Sequence, residues 1–159
     1  MRVAQWGVMR ELHTFEPLLA SPGETFDALT EAECRALLGT QIFGRIGLTR
    51  NGLPAILPVH YVFSEGVITF RTGGGGKLRA AENGDVLAFQ VDAFDPATNT
   101  GWSVLALGRA TVLTTEHEHE GLPTFDTGAG GPRNHYVRIH CELFTGRRLV
   151  PPTDAPAGT

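Results

Sequence analysis

The chain has 159 residues, 42% of them apolar and 19% charged, enough for one ordinary domain with its own core. A formal net charge of -4 argues against general nucleic-acid binding, which needs a basic face. No run of about 18 apolar residues offers a membrane-spanning helix, and the first 15 residues are too mixed for a signal-peptide core.

Residues 1–28 show no clear period and are broken by Pro17, Pro22 and Gly23. They read as an extension whose Trp6, Phe15 and Phe26 pack on the domain or on a partner subunit. Thr30 with Glu33 three positions on is a capping box, and Ala32, Ala36 and Leu37 follow at helical spacing, with Gly39 at the C′ position. Cys34 sits on this helix. Cys34 and Cys141 are too few and too far apart for a disulfide framework or a zinc site, which suits free thiols in a reducing cytoplasm.

From Gln41 the period becomes two. Ile42, Gly44, Ile46 and Leu48 share one strand face, and Asn51-Gly52 is a strong hairpin signal. A second strand runs from Pro54 to Phe63, with Ala55, Leu57, Val59 and Tyr61 on one side. Pro58 inside it cannot donate to a ladder, so this strand is an edge, is bulged, or faces something other than a strand there. A third strand, Val67–Arg71, leads into four consecutive glycines, Gly73 to Gly76, and then Lys77. Lys77 to Asn83 is one or two helical turns closed by Gly84. Strands over Val86–Asp92 and Trp102–Leu113 follow, separated by a polar loop. Thr115–Gly121 reads as helix, Thr124–Asn134 as a Gly/Pro-rich loop, and His135–Leu149 as a last strand with a turn at Thr145-Gly146. Residues 151–159 form a disordered-looking tail. Hairpin-length links and little helix favour a mainly β, closed antiparallel barrel over a βαβ layer.

Lys77 is the single lysine, against twelve arginines. Backbone N–H groups of a glycine turn, the positive end of a helix dipole and an ammonium make an anion site, to which Arg71 and Thr72 add a guanidinium and a hydroxyl. A plain β-to-α turn with a solvated lysine is the alternative. Walker A fails, because Arg71 stands where its first glycine belongs and Leu78 where its hydroxyl belongs. The Rossmann fingerprint fails too, with Leu78 or Arg79 at its third glycine.

Four segments in order, GRIGLTRNGLPAILPVHYVF, ITFRTGGGGKLRAA, GWSVLALGRATVL and VRIHCELFTGRRL, resemble the pyridoxamine 5′-phosphate oxidase-like flavin-binding split barrels, especially the nitroimidazole-resistance-like branch. The resemblance spans about Leu29 to Val150. It implies a six-stranded antiparallel split β-barrel with a few short helices over residues 29–150, a homodimer, and FMN in a cleft between subunits. It places Leu57, Pro58, Val59 and His60 along the isoalloxazine ring, and Arg71, Thr72, Lys77 and Leu78 at the ribityl phosphate. Trp102 and Ser103 match a segment near the flavin, from either subunit. Arg147 and Arg148 match the family's last strand. One departure matters: Gly76 replaces the hydroxyl residue that ordinarily precedes the lysine, so one phosphate ligand is missing. In relatives a deazaflavin or haem takes the place of FMN.

His60 is the candidate for protonating or orienting a small-molecule substrate, since imidazole ordinarily titrates near neutral pH; a partly buried barrel histidine is the competing reading. His117 and His119, two apart in a segment read as helix, suit a solvated surface better than a metal site. His135 and His140 suit packing. No Ser-His-Asp arrangement or carboxylate pair can be defended. The expectations are therefore an FMN-dependent oxidoreductase, a non-catalytic flavin carrier or sensor, or a barrel for haem or a deazaflavin.

Overall fold

Alternating apolar positions become antiparallel strands in the computed structural model, which describes residues 26–114 and 135–149. The helix expected over Thr115–Gly121, with His117 and His119, the loop over Thr124–Asn134 and the tail from Pro151 lie outside the described residues. The elements are β1 (Phe26–Leu29), α1 (Glu31–Leu38), β2 (Phe43–Arg50), β3 (Leu53–Ser64), β4 (Val67–Thr72), α2 (Gly76–Asn83), β5 (Val86–Asp95), β6 (Thr100–Val112) and β7 (His135–Leu149).

The strands run in the order β1-β7-β4-β3-β2-β5-β6, and β6 also pairs with β7. That last pairing closes β2 to β7 into the expected six-stranded antiparallel barrel. β1 is a seventh strand outside the ring. It pairs with the end of β7, Phe26 opposite Leu149 and Leu29 opposite Gly146. Its first three side chains are exposed, so it has no apolar alternation to reveal it. The expected turn at Thr145-Gly146 is absent, and β7 runs through it as one strand. The loop expected from Ala93 is mostly hairpin, with β5 reaching Asp95 and β6 starting at Thr100.

The inward set fills the barrel: Ile46, Val59, Tyr61, Ile68, Phe70, Leu87, Phe89, Val91, Val104, Ala106, Val137 and Ile139 are all buried. Each fully buried large aliphatic or aromatic side chain contributes about 1.5–3 kcal/mol. α1 closes one end with Cys34 and Leu38, and α2 packs Ala80 and Ala81 onto the barrel. The Tyr61 hydroxyl donates to the Leu38 carbonyl at 2.6 Å, and burial raises this phenol to about 12. Burial likewise raises the Cys34 thiol, and raises the Cys141 thiol to about 12.

The capping box forms as expected. The Glu33 N–H donates to Thr30 Oγ1 at 3.3 Å, and the Thr30 N–H donates to the Glu33 carboxylate at 2.8 Å. Thr30→Ala should lower stability by about 1 kcal/mol, seen as a lower urea midpoint at unchanged slope. An unmoved midpoint would show that the box does not hold α1. Gly39 caps α1 at φ -74°, in the right-handed region, so the helix ends without a left-handed glycine. The β2–β3 turn does need left-handed residues, and Asn51 (φ 52°) and Gly52 (φ 76°) supply them.

Candidate functional site

The site begins where two neighbouring strands part. β3 pairs with β2 over most of its length, but with β4 only from Tyr61 to Ser64. Tyr61 opposite Phe70 is the last pair before the strands separate. His60 and Arg71 are the next residues on the two sides of the opening. The Tyr61 N–H donates to the carbonyl of Ile42, just before β2. Backbone groups alternate sides along a strand, so the odd positions of β3 face β2 and the even ones face the opening. Pro54 and Pro58 therefore direct their donorless nitrogens to the unpaired edge, which resolves the proline question in favour of an edge segment. Among the described residues no strand pairs with that edge from Leu53 to His60.

Side chains follow the same alternation. Leu57 and Val59 turn into the barrel, while Pro58 and His60 turn out. His60 is half-buried and meets the Phe43 ring edge-on at 5.2 Å. Beside it on the outer face, Arg45 Nη1 donates to Asp92 at 2.6 Å and to Gln90 at 3.2 Å, which ties β2 to β5 across a short pairing.

The glycine turn joins β4 to α2. Gly74 (φ 133°) and Gly75 (φ 79°) have backbone conformations that side chains resist, and a Cβ on either would meet open space. Gly75 caps α2 with no side-chain hydrogen bond to the start of the helix. Lys77 and Leu78 lie in the first turn, both half-buried. Arg71 is half-buried, with its guanidinium 5.3 Å from the Tyr136 ring centre. Thr72 is 2% exposed, and its hydroxyl donates to the Gly74 carbonyl at 3.3 Å. That proton is directed at the turn, so Thr72 shapes the loop. An uncapped helix start, an open glycine turn and the cations Arg71 and Lys77 fit a phosphate group.

The structure brings Leu57, Pro58, Val59, His60, Arg71, Thr72, Lys77 and Leu78 to this one opening and the turn above it. It does not bring Trp102 and Ser103 there. They lie on β6 opposite Arg148 and Arg147, at the other end of β7 from the His135 to His140 stretch that pairs with β4. As consecutive strand residues they also point to opposite faces: Trp102 packs against the core, while Ser103, opposite Asp92, faces out. Trp102 and Arg148 line a separate cavity of about 470 Å³ with Ala93, Phe94 and Leu149. Arg147 pairs with Ser103 and Arg148 with Trp102 across β6 and β7. One cation went unnoticed in the sequence. Arg50, at the end of β2, has its Cδ 3.7 Å from the place where Gly76 would carry a Cβ. Its only sequence signal was the hairpin it introduces.

A closed antiparallel barrel with a parted seam, two short helices and a phosphate-suited turn at the parting defines the flavin-type split barrels as a structural class. The chain belongs to the pyridoxamine 5′-phosphate oxidase family, whose model matches residues 30–148. It is 32% identical over 134 residues to an uncharacterized protein of Mycobacterium tuberculosis, covering 80% of this chain and 88% of that one. Among solved structures it is similar to an FAD binding protein from Mycobacterium smegmatis, at TM-score 0.61 and 28% identity, over 79% of this chain and all of that one. A proposed 5-nitroimidazole antibiotic resistance protein from Bacteroides thetaiotaomicron aligns at TM-score 0.60 over 79% of this chain and 90% of that one; at 10% identity it shares the fold.

Proposed function

We propose that the chain binds a flavin nucleotide, with FMN as the smallest form that fills the site, and works as a homodimeric flavin-dependent oxidoreductase on a small molecule in the cytoplasm. The observation that carries this reading is the uncapped start of α2, set beside Arg71 and Lys77 at the mouth of the β3–β4 opening. A phosphate monoester carries about -1.5 to -2 charge near neutral pH, which two cations and a helix start can hold. The unpaired edge from Leu53 to His60 offers alternate backbone donors and acceptors to the polar rim of a flat ring. Bound there, a flavin supplies hydride and single-electron transfer. His60 turns outward beside the same edge, where it can hold a substrate or move a proton from its ring nitrogens.

The dimer is supported by topology. Trp102 and Ser103 sit opposite Arg148 and Arg147, at the other end of β7 from the His135 to His140 stretch that pairs with β4 beside the opening, so a second copy is a route by which they reach a flavin bound there. Exposed Phe43, Ile42 and Ile56 on β2, on β3 and just before them would lie in such an interface. FAD contains the FMN portion, and the M. smegmatis relative is described as FAD-binding, so both forms belong in the assay.

The test is the absorption spectrum of the protein as purified, followed by titration with FMN and FAD and by addition of NAD(P)H. Flavin absorption that bleaches with the reductant supports the oxidoreductase. Flavin absorption without turnover on any acceptor leaves the carrier or sensor. A Soret band or a deazaflavin spectrum replaces the cofactor assignment. A colourless protein that takes up neither FMN nor FAD ends the proposal.

A further inference from the structure

The glycine turn leaves its phosphate site one side chain short, and the structure shows what stands in the space. A Cβ on Gly76 would lie 3.7 Å from Arg50 Cδ and 3.8 Å from Leu48 Cδ1. The end of β2 is thus in van der Waals reach of the first residue of α2. A Cβ at position 76 would make ordinary contact with the Arg50 stem, so the stem lies directly beside the helix start.

Four of the other arginines are engaged within the barrel. Arg35 pairs with Glu31 at 2.8 Å, Arg45 with Asp92 at 2.6 Å, and Arg148 with Glu33 at 3.8 Å. Arg109 donates to the Gly84 carbonyl at 2.7 Å. Among the described residues Arg50 has no such hydrogen bond or ion pair. Arg50 is exposed at the hairpin, and its stem lies beside Gly76, the first residue of α2, whose start no side chain caps.

We infer that Arg50 is a phosphate-binding residue of the cofactor site, supplying from β2 the ligand that Gly76 cannot supply from the turn. The inference rests on the flavin-nucleotide reading above. A guanidinium presents a planar fork of donors that matches two phosphate oxygens, and charge-assisted bonds of this kind are the strong ones. Arg50 then reads the phosphate and not the ring, so its contribution is confined to ligands that carry one.

The experiment compares FMN with riboflavin, which has the same ring and no phosphate, by quenching of flavin fluorescence on the full chain. Wild type should prefer FMN. Arg50→Gln should raise the FMN dissociation constant about tenfold and leave riboflavin unchanged, and Arg50→Lys should fall between, keeping charge but losing the fork. Circular dichroism should match wild type for both variants, as the side chain is exposed. FMN affinity unchanged in Arg50→Gln overturns the role of Arg50 and leaves the flavin reading standing. Equal weakening of FMN and riboflavin also overturns it, because the effect is then not on the phosphate. A wild-type chain that fails to distinguish FMN from riboflavin removes the phosphate site itself, and Arg50 with it.

Discussion

Lys77→Ala is expected to weaken FMN binding by roughly ten- to a hundredfold, matching the loss of about 1.5–3 kcal/mol for a hydrogen bond to a charged group. Lys77 is the chain's single lysine and lies in the first turn of α2, whose leading N–H groups no side chain caps. In the proposed site the helix dipole and the ammonium would act on the same anion, so removing the ammonium would leave the dipole to hold it alone. Riboflavin affinity should hardly change, and the FMN preference should fall more steeply with salt in wild type than in the variant. The readout is equilibrium binding at two ionic strengths. FMN affinity unaltered in Lys77→Ala would move the phosphate away from this turn.

Phe89→Ala should be the most damaging single core change, costing about 3–5 kcal/mol. Phe89 is 0% exposed and meets the Tyr61 ring at 4.6 Å with an interplanar angle of 64°. It also fills the space above Gly44, where any Cβ would collide with the ring. The ring is thus enclosed by β2, β3 and its own strand, and little can relax into the cavity. Thermal melting should fall by roughly 6–20 °C for a chain of this size, with Phe89→Leu much milder. A loss below about 1 kcal/mol would mean that the barrel centre collapses around the void, against the close packing seen.

The two effects also separate function from folding. Lys77 is half-buried on a helix start, and its loss should leave the melting temperature near that of wild type. Phe89 should lower stability while leaving flavin affinity intact at temperatures where the chain stays folded.

The sequence by itself determined what short-range chemistry determines. The period-two runs, the Thr30–Glu33 box, the Asn51-Gly52 turn and the left-handed closure at Gly84 (φ 68°) each involve residues a few positions apart, and each formed. The parted strand could be suspected from Pro58, and the anion turn from the glycines with Lys77. Tertiary structure decided the rest, because the deciding neighbours are far apart in the chain. β1 is a strand only because β7 offers it an edge. Gly146 looked like a turn residue, yet its missing side chain serves close approach: a Cβ there would lie 2.7 Å from Cys34 Sγ and 2.9 Å from Leu29 Cδ1. Thr72 carries a hydroxyl beside the turn, and only the fold shows it buried with its proton directed to Gly74. Arg50 lies beside Gly76, and Trp102 lies opposite Arg148 away from the opening, only through the tertiary order and register of the strands, and no local pattern encodes which strand lies beside which.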